Sequence, residues 1–262
     1  MVTKSRIAPI KAKIERAKEH VSDLEVSIND FKSEPFIRNY NRYTKPPRSI
    51  EQESTRWAVI VGEVVHQLRS SLDHLACQLV EANGGTVTKQ TMFPILDSSK
   101  DYEAGIEGML DGASVKAIRF VKALKPYNGG NQSLFALHRL NIADKHRLLI
   151  TVGAVRESVS APTSAQASRY KDKGIRVVPK RADGTFEFAP YIDTFPLEDS
   201  AEIFSTISKA KLYPNANLTF EIVFGEKGVF DREPLVPSLL NLTNIIEGII
   251  ETAFNALPEL NA

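Results

Sequence analysis

Cysteine is almost absent from this sequence, since Cys77 is the single one among 262 residues. One cysteine cannot form an intramolecular disulfide or build a CxxC-type zinc or iron–sulfur site. Such usage is typical of a reducing compartment, so we expect a cytoplasmic protein. Long apolar runs are missing too, because no stretch approaches the roughly 20 residues of a membrane-spanning helix. The charged first turns contain no signal-peptide core, and we therefore expect no membrane partner.

An excess of charge of either sign is also missing. The 33 Lys and Arg residues almost balance the 32 Asp and Glu residues, which leaves a net charge of +1. The chain therefore has no global field that would attract nucleic acid or an acidic membrane, and any anion site must be local. Hydrophobic residues make up 42% of the chain, which is enough to fill a core. We expect a folded, soluble protein of one large domain or two small ones.

The clearest periodicity lies at the N-terminus. Apolar residues recur at alternating spacings of three and four from Ile7 to Phe31, which predicts a long helix with a heptad seam. Two packings fit this seam. It could join two copies of the chain in a coiled-coil homodimer, or it could pack along the chain's own helical bundle. We favour packing within the chain, because the repeat is short for a stable free coiled coil.

The remaining pattern predicts more helices, then strands, then a closing helix. A central helix spans Trp57 to Val80 and stops at Asn83, Gly84 and Gly85. Further helices are predicted at 102–110, 113–124, 132–145 and 238–257, and strand-like segments at 148–155, 175–178, 185–188 and 218–224. This order predicts an α+β fold: a helical bundle over 1–150, followed over 151–262 by a small antiparallel sheet and a C-terminal helix, packed as one unit.

One side of the central helix carries side chains that can titrate or act as nucleophiles. His66, Ser70, Asp73 and Cys77 follow one another at spacings of four, three and four, so they line up opposite the apolar stripe. Solvent-facing helix sides are normally filled with Lys, Glu and Gln. A Ser/His/Asp triad is not expected, because one helix holds these Cβ atoms on parallel outward paths and the base cannot reach both partners.

A second group of polar residues occupies the helix at 132–145 and the residues just after it, in the run LHRLNIADKHRLLI. Arg139 and His146 lie two turns apart near one side of the helix. Charged residues at the start of the apolar strand should be paired, because unpaired charges there would be costly. One interpretation is therefore structural: Asp73 pairs with Arg69, and Asp144 pairs with Arg147, in a polar network between packed helices.

Metal binding is a further hypothesis. The side chains of His66, Asp73, His74, His138 and His146 could supply nitrogen and oxygen ligands to zinc or iron in a metal-dependent hydrolase. The chain contains no HExxH motif, and no two histidines stand four residues apart on one helix. We therefore predict no metal and no cofactor, and keep the metal-dependent hydrolase as an alternative.

The segment RSSLDH, residues 69–74, resembles the Arg-x(4–6)-His signature of the HEPN superfamily. The resemblance implies a helical bundle and an RNA-directed protein, in many members a metal-independent endoribonuclease of defence or toxin systems built at a dimer interface. It implies that Arg69 and His74 are catalytic, with Arg139 and His146 as a second pair. The arginines would hold the scissile phosphate, and the histidines would move protons while a 2′-hydroxyl attacks.

The longer stretches GEVVHQLRSSLDHLACQLV and LHRLNIADKHRLL resemble an uncharacterised bacterial family that pairs an HxLRSxLDHL helix with a DKHRLL segment. This resemblance covers about residues 57 to 150 and implies that the two runs form one site. The candidate binding residues around the catalytic ones are His66, Ser70, Asp73, His138, Asp144, Lys145 and Arg147. The expected partners are RNA and a second copy of the chain, joined through the N-terminal helix or the central helix.

A rival hypothesis belongs to a different functional class. The chain could be a non-catalytic interaction module that dimerises through the seam from Ile7 to Phe31. Its cluster of Arg, His and Asp side chains would then serve folding or the binding of a small ligand.

Overall fold

In a computed structural model, the structure describes residues 7–33, 50–147, 149, 151–159, 191–196, 216–225, 230 and 233–261. Helices dominate this part of the chain. The α-helices are α1 (Ala8–Ser33), α2 (Ile50–Ala82), α3 (Ser99–Met109), α4 (Val115–Ala123), α5 (Gln132–His146) and α6 (Leu235–Ala256), and a 3-10 turn, Pro258–Asn261, follows. The central helix begins earlier than predicted, at Ile50, and ends at Ala82. Gly84, at φ 79°, adopts the left-handed conformation of the turn that follows.

Side-chain caps explain where the three shorter helices begin. The Ser98 hydroxyl accepts the N–H of Asp101 at the start of α3, and the Ser114 hydroxyl accepts that of Ala117 at the start of α4. The side-chain amide oxygen of Asn131 accepts the N–H of Leu134 at the start of α5. Each cap satisfies one of the backbone donors that the first turn of a helix leaves free.

The seam of α1 is buried within the single chain. Its residues from Ile10 to Phe31 are 0–4% exposed. Lys13 Nζ donates to Gln67 Oε1 at 3.4 Å, and His20 Nδ1 lies 3.4 Å from Glu63 Oε2, so α1 runs antiparallel to α2 in this region. The packing within the chain that the sequence favours is the one the structure contains, and the homodimer remains a separate prediction.

The prediction of an α+β fold is wrong, because the described fold is mostly helical. Three strand segments are present, β1 (Thr151–Val159), β2 (Tyr191–Pro196) and β3 (Ala216–Phe224), and they pair antiparallel in the order β2-β1-β3. The described helical residues far outnumber the strand residues, so the strands do not define the class. Ile222, Val223 and Phe224 are the only buried apolar strand residues among those whose side chains the structure describes. The strand-like segments at 175–178 and 185–188 lie outside the described residues.

Contact density divides the chain into two units. The first comprises Met1–Glu25, Val59–Leu149 and Val236–Ala262, and the second comprises Val26–Ala58 and Ile150–Leu235. The first unit contains most of α2 together with α3, α4, α5 and α6, so all the candidate site residues belong to it. None of the described helices combines the length and the apolarity needed to cross a membrane.

Candidate functional site

The two runs of polar residues meet along a contact between α2 and α5. The carboxylate of Asp144 lies against the backbone of Gly62, and a β-carbon built on Gly62 would lie 2.6 Å from Asp144 Cγ. The charge of His66 also acts on Asp144. Six residues earlier in α5, His138 lies within electrostatic range of Arg69 and Asp73. Since Asp144 contacts the earlier part of α2 and His138 lies near its later part, the two helices run antiparallel.

Gly62 explains how a carboxylate fits at this contact. Glycine in the middle of a helix costs roughly 1 kcal/mol relative to alanine, because it loses more backbone freedom on folding. A side chain at position 62 would require the Asp144 carboxylate to move, since real β-carbons are essentially never found so close to another heavy atom. Gly62 therefore leaves room for the Asp144 carboxylate against the backbone of α2.

Arg69 holds the polypeptide at Phe93. It is 6% exposed, its Nη2 donates to the Phe93 carbonyl oxygen at 2.8 Å, and its Nη1 pairs with Asp73 Oδ1 at 2.8 Å. The same Asp73 oxygen accepts the Phe93 N–H at 2.9 Å. Phe93 is completely buried, so both of its backbone polar groups need partners, and two side chains of α2 supply them.

This network also determines the electrostatics of Arg69. Burial lowers the pKa of Arg69, and the neighbouring Asp73 carboxylate opposes that shift. Nη2 donates a hydrogen bond to a carbonyl, whereas the buried Nη1 forms an ion pair with a carboxylate without the geometry of a hydrogen bond. The pairing of Arg69 with Asp73 agrees with the structural interpretation of the sequence, in which these two residues form part of a network between packed segments.

His138 is half-buried and keeps one ring nitrogen without a partner. Its Nδ1 is buried and has no hydrogen-bond partner in the part of the chain that the structure describes. Burial lowers the pKa of His138, the positive charges of Arg69 and Lys145 lower it further, and Asp97 and Asp73 oppose them. Because Nδ1 is buried without a partner among the described residues, Nε2 is the ring nitrogen through which His138 can form a hydrogen bond with another group.

His66 and Asp144 are further polar residues of this contact, and no hydrogen bond or ion pair joins them. His66 is exposed on α2, whereas Asp144 is partly buried against Gly62. Burial raises the pKa of Asp144, and the charge of His66 lowers it.

The other candidate residues are more widely distributed. His74 is exposed and lies about 140° around α2 from Arg69, so the structure does not bring this signature pair together within one chain. Arg139 and His146 are both exposed on the side of α5 that faces away from its buried stripe. Lys145 and Arg147 are exposed, and Ser70 is half-buried. Burial and the charges of Asp73 and Glu81 raise the pKa of Cys77, which favours the unreactive thiol.

Two residues of the site were missed by reasoning from the sequence. Gly62 carried a signal, because an isolated glycine inside a helical pattern often indicates a close approach by another group. Phe93 carried none, since nothing in its own sequence context shows that its backbone is bonded to side chains of α2. Within the described residues, no group of three or more His, Cys, Asp or Glu side chains is arranged to hold a metal ion.

No family model, curated protein or solved structure matches the chain.

Proposed function

We propose that the chain is a HEPN-like, RNA-directed protein that cleaves RNA without a metal ion, and that its reacting groups lie along the contact of α2 and α5. The observation that most supports this proposal is the convergence of two imidazoles on one helix contact. His66 lies one helical turn after Gly62, where the Asp144 carboxylate contacts α2, and His138 lies within electrostatic range of Arg69 and Asp73. His138 and Asp144 lie six residues apart on α5, roughly 9 Å along its axis.

The proposed roles follow from burial and charge. His66 is exposed and moves the proton, because an imidazole exchanges protons near neutral pH. Neutral His138 donates a hydrogen bond to a phosphate oxygen, and exposed Lys145, two turns further along the same side of α5, attracts the phosphate. Arg69 supports the site by fixing the Phe93 segment. The exposed pair Arg139 and His146 remains available for a longer RNA or a second copy.

The reaction needs no external reagent. His66 accepts the proton of the 2′-hydroxyl, and the 2′-oxygen attacks phosphorus. The bond from phosphorus to the 5′-oxygen breaks, and His66 returns the proton to that oxygen. The products are a 2′,3′-cyclic phosphate and a 5′-hydroxyl, and the imidazole ends as it began. His138 stabilises the negative charge that develops on the phosphate oxygens.

The test is cleavage of a labelled RNA by purified protein in the presence of a chelator. We expect His66→Gln to lower kcat on the order of 100-fold or more, since proton transfer by a positioned side chain contributes that much. His138→Gln should cause a smaller loss. Arg119→Gln, which removes an exposed cation from α4, is the matched control and should cleave at the wild-type rate. A wild-type protein that leaves RNA intact, or a His66→Gln variant with unchanged kcat, contradicts the proposal.

A second candidate function is the non-catalytic interaction module. The bonds from Arg69 and Asp73 to the Phe93 backbone favour it, because they give this part of the cluster a structural role. In that case the wild-type protein neither binds nor cleaves RNA, and substitutions at His66 and His138 change only stability.

A further inference from the structure

Three polar side chains of α5 line the side of the helix that packs on α2. His138, Asn141 and Asp144 follow one another at spacings of three residues, so they lie within one arc of about 120° around the helix. Asp144 contacts α2 at Gly62, and the buried Leu137 lies in the same arc. This arc is therefore the packed side of α5, and Asn141 lies in its middle.

Asn141 carries a buried amide without a partner. The residue is 6% exposed, and its side chain takes part in no hydrogen bond within the part of the chain that the structure describes. Buried amides are normally bonded, because an unmade bond leaves a desolvated group without compensation. Among the described residues, the fully sealed side-chain atoms that lack a partner include His138 Nδ1 but neither amide atom of Asn141. The amide therefore reaches the edge of the solvent-accessible surface, where a ligand can supply the missing bonds.

Asp144 is the second group of this kind. It is half-buried, and its carboxylate accepts no hydrogen bond and forms no ion pair among the residues whose positions the structure gives. Asp144 follows Asn141 by three residues, so the two lie on adjacent turns, about 4.5 Å apart along the helix axis. Together they offer two carboxylate oxygens that accept hydrogen bonds and an amide that both donates and accepts.

The chemistry of this pair selects its ligand. The Asp144 carboxylate repels a phosphate and attracts N–H donors. The Watson–Crick edge of guanine presents two neighbouring donors, at N1 and at the 2-amino group, next to the acceptor O6, and proteins read this edge in unpaired RNA bases. A carboxylate accepts two parallel hydrogen bonds, and the neighbouring amide donates the third. The Watson–Crick edges of adenine, cytosine and uracil do not present two adjacent donors.

We infer that Asn141 and Asp144 form a subsite that binds a guanine base of the RNA. This inference rests on the proposed function for its substrate class, and it names the base that the contact recognises. Because α2 and α5 run antiparallel and Asp144 contacts Gly62, Asn141 lies opposite the turn of α2 that follows Gly62 and carries His66. The subsite therefore lies alongside the histidine that moves the proton.

Replacing Asn141 by leucine tests whether its amide has a partner within the fold. The change keeps the approximate volume and removes an unpartnered buried amide, so the melting temperature should stay the same or rise. Asn241→Leu, at an exposed position of α6, is the matched control and should change the melting temperature little. A lower melting temperature for Asn141→Leu alone would show that the fold itself uses the amide, which overturns the inference.

Binding of nucleosides to the intact protein, followed by NMR, is the decisive measurement. Guanosine, inosine and adenosine carry no phosphate, so they report on the base subsite alone. Guanosine should bind on the order of tenfold more tightly than inosine, which lacks the 2-amino group, because a hydrogen bond to a charged group is lost. Adenosine should bind more weakly than guanosine as well. Asp144→Asn and Asn141→Leu should each abolish these preferences, and Asn241→Leu should keep them.

The outcomes separate this inference from the proposed function. Guanosine that binds no more tightly than inosine or adenosine, or a preference that survives in either variant, overturns the inference. If the protein cleaves RNA in chelator without a preference for guanosine, the proposed function stands and the inference fails. If it binds guanosine selectively and leaves RNA intact, the base subsite stands and the proposed function fails.

Discussion

Arg69 shows how a side chain that has catalytic character in the sequence can hold the fold in three dimensions. In the sequence it begins an Arg-x4-His segment, and in the structure it bonds the buried backbone of Phe93 and pairs with Asp73. The pairing of residues four apart on one helix could be predicted from the sequence. The bond to Phe93 could not, because it depends on how the segment after α2 folds back over that helix.

Replacing Arg69 should therefore lower the free energy of unfolding. Arg69→Met keeps the aliphatic part of the side chain but leaves the Phe93 carbonyl oxygen without a donor and Asp73 without its cation. We expect the free energy of unfolding to fall by about 2–4 kcal/mol. This range already allows for the partial exposure of Asp73, which weakens its ion pair. The melting temperature measured by circular dichroism should fall by about 5–15 °C. Arg119→Met, at an exposed position, should change the stability by less than about 0.5 kcal/mol, and an equal effect of both changes would contradict the structural role of Arg69.

The histidines show that the environment of a side chain cannot be predicted from residue identity alone. The sequence places His66 and His138 on two helices, and helical spacing gives the side of each helix on which they lie. Their different environments, one exposed and one half-buried with a lowered pKa, depend on how α5 packs on α2. Gly62, which has no side chain, leaves room for the Asp144 carboxylate at that contact.

At the scale of elements, the helices could be predicted well and the fold class could not. The spacing of three and four along α1 and the breaker residues after α2 indicate helices and their ends whatever surrounds them. Alternating or β-branched segments after residue 148 correctly suggested strands at β1 and β3. Short strand-like segments do not show what share of the residues will lie in strands. Helices dominate the described fold, so the predicted fold class was wrong.

The α1 seam gives a prediction at this scale. Leu24 is fully buried in the seam, so Leu24→Ala should cost about 2–5 kcal/mol, the usual range for removing a buried leucine side chain. Val26, two residues further on, is 58% exposed, and Val26→Ala is the matched control. Because the seam is buried within one chain, the melting temperature of Leu24→Ala should not depend on protein concentration. A midpoint that rises with concentration would instead indicate that the seam joins two copies.

At the scale of the whole molecule, charge and site location set the conditions for binding. The net charge of +1 supplies no long-range attraction for RNA, so recognition has to come from the contact of α2 and α5 itself. The chain contains five histidines, which makes that contact easy to observe by NMR. His20, which is largely buried beside Glu63 on the α1 side of α2, provides an internal reference.

The most direct test is to titrate a short RNA into histidine-labelled protein, with a 2′-deoxy nucleotide at the scissile position so that binding occurs without cleavage. Imidazole resonances are then followed one histidine at a time. We predict that the His66 and His138 resonances shift together and saturate at the same RNA concentration, while the His20 resonances do not shift. Saturating RNA that moves neither His66 nor His138 would contradict the claim that the contact of α2 and α5 is the site.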